Sequence, residues 1–335
     1  MQARKAGLSI FGALILAACG QEAAPPPAEP AAAAPEPAPV ATPAAESSAS
    51  DTGLPDRILV ERGGFIPEGI EYDHANGRFL TGSLAEGTIF EIGTDGSLTA
   101  AVVDPELVSS VGIEVDEARD RLLVANSDSA AFGGQSDGQA KLGVYNLSTG
   151  ERIAMVDLGP LAGEGEGSFF ANDVAVTADG TAYVTDTMRN VIYRVDADYE
   201  ASLFYQFEPM EGLGLNGIVA HEDGYLIVVA AGGAGVLYKV PIDDPSAAAA
   251  IALDEPVAGS DGLDWTVEGA LASTSNSTSS VVLLESTDSW ATASTVATAT
   301  FEGQATTGTR VNEEFYVVQP HFNDPEQPEI LRAEF

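Results

Sequence analysis

Four polar residues stand at equivalent places in a chain that otherwise alternates apolar strands with polar turns. Glu68 precedes Gly69, Asn172 precedes Asp173, Asn216 precedes Gly217 and Asp261 precedes Gly262. Two carboxylates and two carboxamides form a hard oxygen donor set, and Ca2+ takes roughly six to eight such ligands. The two carboxylates would neutralise a divalent ion, leaving coordination positions for water and substrate. A single Asn-Gly or Asp-Gly pair is an ordinary turn former. Four oxygen side chains recurring at the same place in four repeats point instead to one shared site.

The elements that must bring these residues together are repeated. A small residue or Gly, an alternating apolar strand, a polar turn and a second apolar strand recur as PEGIEYDHANGRFLTGS (67–83), SVGIEVDEARDRLLVANS (110–127), NDVAVTADGTAYVTDT (172–187), NGIVAHEDGYLIVVAA (216–231), DGLDWTVEGALASTS (261–275) and TGTRVNEEFYVVQPH (307–321). Measured at Gly69, Gly112, Asp173, Gly217, Gly262 and Gly308, the spacings are 43, 61, 44, 45 and 46 residues. Short alternating strands and tight turns at such a period predict an all-β, six-bladed β-propeller with four-stranded antiparallel blades. No segment carries a helical period over ten residues.

The 61-residue interval holds two extra stretches, Asp128–Ala140 and Gly159–Ser168, both lid candidates, with an idle surface excursion as the alternative. Ile330–Phe335 is expected to give the last unit only an inner strand. The segment Arg57–Phe65 is therefore expected to complete the sixth blade, so that no sheet edge stays open. In a propeller the innermost strands start near one end of the central channel, which makes the motif heads neighbours. The remaining heads are Ser110 or Val111, and Thr307 beside Thr306.

Through PEGIEYD, FFANDVAVTADGTAYVTDT, LNGIVAHEDGYLIVV and GSDGLDW the sequence resembles the regucalcin/gluconolactonase family (SMP-30/gluconolactonase/LRE-like), related to diisopropylfluorophosphatase and paraoxonase, over all six units. The resemblance implies that Glu68, Asn172, Asn216 and Asp261 bind one catalytic divalent cation, Ca2+ in the first place with Zn2+ or Mn2+ as alternatives. It implies a metal-dependent hydrolase of lactones or related esters, with Asp261 as base or nucleophile and also a metal ligand. Where the family has polar substrate contacts this chain reads GEGEGSFF (163–170), which speaks against an anionic sugar lactone.

His321, after the inner strand pair of the sixth unit, is the candidate proton shuttle near neutral pH. His74 and His221 fall in turns. Gly134–Gly138 reads G-x-S-x-G, yet its flanks are loop-like rather than the strand and helix a nucleophile elbow needs. Glu164 and Glu166 are read as a solvated loop or lid, Trp265 and Trp290 as packing, and Asp116 and Asp179 as turn-fixing carboxylates.

The rest of the chain sets the context. Residues 1–18 read as a lipoprotein signal peptide: Arg4 and Lys5, an apolar stretch Ala6–Ala18, and a lipobox ending at Cys19. That stretch, about 13 residues, is shorter than the roughly 20 that span a bilayer. Cys19 is the sole cysteine, so no intramolecular disulfide and no cysteine metal cage can form. Gly20 after it favours the outer membrane or a periplasm-facing position in the cell envelope. Residues 19–55 are read as the lipidated Cys followed by an Ala/Pro-rich tether, and 56–335 as the propeller. The net charge of −37, or −39 once Arg4 and Lys5 are cleaved away, excludes nucleic acid as a partner. The expected partners are a small lactone or ester and, through Cys19, a membrane; the expected state is a monomer. The alternative reading is a non-catalytic, ligand- or protein-binding propeller with a structural ion. A strictosidine-synthase-like propeller is weaker still, because Glu68 and Asp261 speak for a metal.

Overall fold

The structure is a computed structural model that describes residues 53–163, 167–210, 212–322 and 327–335. The leader, Cys19, most of the tether and the Glu164/Glu166 pair lie outside these residues. Six sheets are present, each built on four antiparallel strands, and together they form a β-propeller. From the innermost strand outward, blade 1 is Ile70–Asp73, Arg78–Thr81, Ile89–Ile92 and Leu98–Val102; blade 2 is Ser109–Asp116, Arg121–Ser127, Lys141–Asn146 and Arg152–Asp157. Blade 3 is Phe169–Val176, Ala182–Asp186, Val191–Val195 and Ala201–Gln206; blade 4 is Leu215–His221, Tyr225–Ala230, Val236–Pro241 and Ala249–Ala250. Blade 5 is Ser260–Trp265, Leu271–Ser275, Ser280–Glu285 and Thr292–Thr300. Helical structure among the described residues is limited to short 3-10 turns, and none of it is long and apolar enough to cross a membrane.

Blade 6 closes the ring. Its inner strands are Gly308–Val311 and Glu314–Gln319, its third is Glu329–Arg332, and its outermost is Arg57–Leu59, paired as Arg57 with Leu331, Ile58 with Ile330 and Leu59 with Glu329. The N-terminal closure expected from sequence is thus present. The C-terminal segment differs from expectation: it is the third strand, because Gly308–Val311 already fills the inner place.

Sequence alternation explains the packing. On the second strand of blade 2, Leu122 and Val124 join the apolar cluster shared with blade 1, whereas Leu123 and Ala125 join the one shared with blade 3. Successive side chains of a strand point to opposite faces. Both faces of each blade are covered, so these strands read as continuous apolar runs. Six such clusters fill the six interfaces between neighbouring blades.

The recurring glycine after each head has a packing reason. A Cβ on Gly69 would lie 2.5 Å from the Val111 carbonyl oxygen of blade 2, and one on Gly217 would lie 2.5 Å from the Asp261 carbonyl oxygen of blade 5. Inner strands of adjacent blades touch backbone to backbone there, which only glycine permits. In blade 3 the position is Asp173, and its carboxylate crosses the interface to accept from Ile218 N at 3.0 Å.

Candidate metal centre

The strand pairing slips at the heads of four blades. Val111-Gly112 opposes Ala125 alone, Asn172-Asp173 opposes Thr185, Asn216-Gly217 opposes Val229, and Asp261-Gly262 opposes Thr274. Each is a one-residue β-bulge, a device that re-aims a side chain locally. Three of the four site residues read from the sequence sit in these bulges. Glu68 lies just before the inner strand of blade 1, held by the Thr306 hydroxyl, which donates to its carbonyl at 2.8 Å.

The upper ring is buried: Glu68 is 8% exposed, Asn172 6%, Asn216 5% and Asp261 6%. Asn216 Nδ2 donates to Asp261 Oδ1 at 2.6 Å, and Asn276 Nδ2 donates to Asp261 Oδ2 at 2.8 Å. Asn172 Nδ2 donates to Thr187 Oγ1 at 2.9 Å, and that hydroxyl donates to the Leu215 carbonyl at 2.6 Å. Among the described residues, no donor reaches the Glu68 carboxylate or the Oδ1 atoms of Asn172 and Asn216. Burial, then the nearby Asp261 and Asp173 charges, hold the Glu68 carboxyl well above the usual carboxylate range. Burial also pushes Asp261 up to about 7, against the pull of the Asn216 and Asn276 amides.

The polarity of these bonds decides whether the ring can take a cation. Both asparagines spend their amide nitrogens on neighbours, which leaves their oxygens as acceptors without donors; two buried carboxylates lie close together with no cationic side chain bonded to them. The donor set fits a divalent hard cation. Among the described residues no group of three His, Cys, Asp or Glu side chains could hold a metal ion, so a cation at this ring would need the carboxamide oxygens as well.

Thr187 and Asn276 were not singled out in the sequence. Their signal is a polar end to the second strand of each blade, TDT at 185–187 and TSN at 274–276. A second polar layer was also missed. Glu71, Glu114, Asp173 and Asp264 line a cavity of about 90 Å3, and Glu71, Glu114, Asp264 and Arg310 line an adjoining one of about 230 Å3. Arg310 N donates to Asp264 Oδ2 at 3.0 Å, and the Thr309 hydroxyl donates to Glu71 at 3.4 Å.

His321 Nε2 lies 3.3 Å from Glu329 Oε1, while Arg57 engages Oε2 of the same carboxylate, and none of the described polar contacts of His321 involves the four heads. His221 stacks on Tyr225 with centroids 4.4 Å apart, and His74 packs edge-on against Tyr72. Trp265 donates to the Ala220 carbonyl at 2.9 Å and packs against Trp290. Asp116 binds Arg121 at 2.6 Å, and Asp179 accepts from Thr181 N at 3.0 Å within its turn. Ser136 follows the 3-10 turn Ser129–Gly133 and accepts from Gly138 N, so no nucleophile elbow is formed.

The first extra stretch is tied to blades 2 and 3. Gly138–Gln139 adds a parallel strand beside Phe169–Phe170 of blade 3, and Gln139 Nε2 donates to Asn126 Oδ1 at 2.9 Å. Ala131 and Phe132 of this stretch line a cavity that also has Thr187 in its wall.

Comparison with solved structures gives the fold its relatives. The major allergen Mala s 1 of Malassezia sympodialis is 18% identical with a TM-score of 0.71, the match covering 84% of this chain and 96% of that one. A calcium-binding regucalcin from Agrobacterium tumefaciens is 16% identical (TM-score 0.60, 84% and 95% covered), and a gluconolactonase from Xanthomonas campestris is 15% identical (TM-score 0.58, 82% and 89% covered). The chain shares their propeller fold. No family model matches the sequence, and neither does any curated protein.

Proposed function

We propose that this protein is a divalent-cation-dependent hydrolase of lactones or related esters, with Ca2+ as the cation, acting at the upper ring. The observation that carries the reading is the outward anchoring of the Asn172 and Asn216 amides beside two buried carboxylates. The solved gluconolactonase and calcium-binding regucalcin of the same fold support the substrate class and the ion.

Glu68, Asn172, Asn216 and Asp261 would hold the cation. A divalent cation bound there supplies a Lewis acid for an acyl oxygen. Asp261 is oriented by two amide donors, one on each oxygen, and is the group assigned to act as base or nucleophile. Hydrolysis adds one water across the acyl C–O bond, hydroxide to the carbonyl carbon and a proton to the departing alkoxide. Thr187 keeps Asn172 from turning its nitrogen inward. His321, bound to Glu329, is given no step.

The lipobox reading at Cys19 supports a second element of the proposal: a lipid anchor that holds the propeller at a membrane of the cell envelope. Incorporation of labelled palmitate that is lost on Cys19→Ala tests it.

Hydrolysis of a lactone panel by the purified protein, with calcium and with chelator, tests the catalytic reading, alongside calorimetric titration with Ca2+. Calcium binding at micromolar levels and chelator-sensitive turnover are expected. Calcium binding without turnover of any lactone or ester would leave a binding propeller with a structural ion. No divalent binding at all would sink the site itself.

A further inference from the structure

We propose that the substrate carries an uncharged apolar arm, and that this arm lies in a pocket beside the upper ring walled by Phe132, Met188, Met210 and Leu213. The inference rests on the hydrolase reading above and specifies its substrate class. The pocket has a volume of about 390 Å3, within the range of small-molecule sites.

Its floor is shared with the ring. Thr187 lines it and is the residue whose hydroxyl holds Asn172 and binds the Leu215 carbonyl next to Asn216; Gly214 lines it two residues before Asn216. An acyl group seated at the ring therefore has this pocket as its neighbour. Phe132 is delivered by the extra stretch after blade 2's second strand and packs edge-on against Phe170 at 4.5 Å, yet 54% of it remains exposed. Leu213, on the approach to blade 4, is 42% exposed. Large apolar side chains presented together in one concavity mark a surface that gains by being covered. The two methionines add thioethers that adapt to chains of differing shape.

Charge and polarity exclude the other substrate classes. None of the described lining residues is ionisable, and only Ser168, Thr187 and Asn190 have polar side chains. Arg189, close by in sequence, donates to the Gly163 and Gly167 carbonyls and lies 4.9 Å above the Phe169 ring. A carboxylate or phosphate on the substrate would find no cation in the pocket and would face Glu68 and Asp261. A polyol would find few partners, and the Thr187 hydroxyl is already engaged.

The test uses the whole calcium-loaded chain with δ-decalactone, γ-butyrolactone and glucono-δ-lactone. δ-Decalactone is expected to have the highest kcat/KM, and the double variant Phe132→Ser, Leu213→Ser should lower the ratio of δ-decalactone to γ-butyrolactone by about tenfold or more. Binding of the neutral fluorophore N-phenyl-1-naphthylamine supplies a readout independent of turnover: wild type should bind it, decalactone should displace it, and the variant should bind at least about tenfold more weakly. Preference for glucono-δ-lactone, or an unchanged ratio in the variant, would overturn the proposal. If no lactone is turned over but the fluorophore result holds, the hydrolase reading fails while the apolar pocket stands. Absence of fluorophore binding removes the pocket even where turnover is seen.

Discussion

Two polar layers built on the same inner strands carry similar side chains and solve opposite problems. The upper ring mixes carboxylates with carboxamides, and neighbours take up the amide nitrogens so that oxygens are left as free acceptors. The lower layer is Glu71, Glu114 and Asp264 beside Arg310. There, burial and mutual repulsion hold Glu71 and Glu114 well above the usual carboxylate range, and burial pushes Asp264 up to about 6, offset by the Trp265 and Arg310 backbone donors. Carboxylates alone do not define a cation site. What separates the layers is the orientation of neutral amides, which costs no charge repulsion and is set by the bonds Asn172 donates to Thr187, just past the second strand of blade 3, and Asn216 donates to Asp261 of blade 5.

The largest effects should separate the layers outright. Glu68→Gln or Asp261→Asn removes a formal charge from the upper ring, and Ca2+ affinity should fall by about 100-fold or more, since ligand charge count tunes such sites. Glu114→Gln in the lower layer should leave calcium affinity within about twofold. Calorimetry on the three variants decides, and equal losses from both layers would erase the distinction.

A smaller effect tests the amide anchors. Thr187→Val deprives the Asn172 nitrogen of its acceptor, and Asn276→Ala removes one of the two donors on Asp261. Groups that orient metal ligands are typically worth about 10- to 100-fold in affinity. Each variant should therefore weaken Ca2+ by about tenfold or more while leaving the fold's thermal midpoint close to wild type. Thr309→Val, which touches Glu71 in the lower layer, should not change calcium affinity. A falling midpoint without loss of affinity would mean that the anchors serve only the fold.

This contrast also shows what could be read from the sequence. The blade count and the closure by Arg57–Leu59 were legible because the repeat is written in strand alternation and in glycines that the inter-blade contact demands. The upper ring was legible because its residues head the repeats. The lower layer was not, for a geometric reason. Glu71, Glu114, Asp264 and Arg310 stand three residues after Glu68, Val111, Asp261 and Thr307, whereas a regular strand brings a side chain back to the same face after two. In blades 2 and 5 a one-residue bulge between head and carboxylate reverses that parity. His321 shows what strand pairing adds: its place at a strand end in the sequence suggested a proton shuttle, and the third strand of blade 6 brings Glu329 beside its ring nitrogen, a partner eight residues away that the repeat does not announce.

The smallest expected effect concerns the cost of the lower layer to the fold. Glu114 is raised first by burial and then by Asp264, Asp173 and Asp116; Glu71 and Arg310 line the same cavity. A carboxyl whose folded pKa exceeds its unfolded value, near 4.3, leaves stability intact below that value and erodes it as pH climbs toward the folded pKa. Glutamine has the same shape without the ionisation. Glu114→Gln should thus match wild type near pH 4 and exceed it in urea midpoint at pH 8, measured with chelator present so that no cation neutralises the layer. An advantage of equal size at both pH values would trace the gain to packing instead, and a loss at pH 8 would mean that the ionised carboxylate is stabilised where it stands.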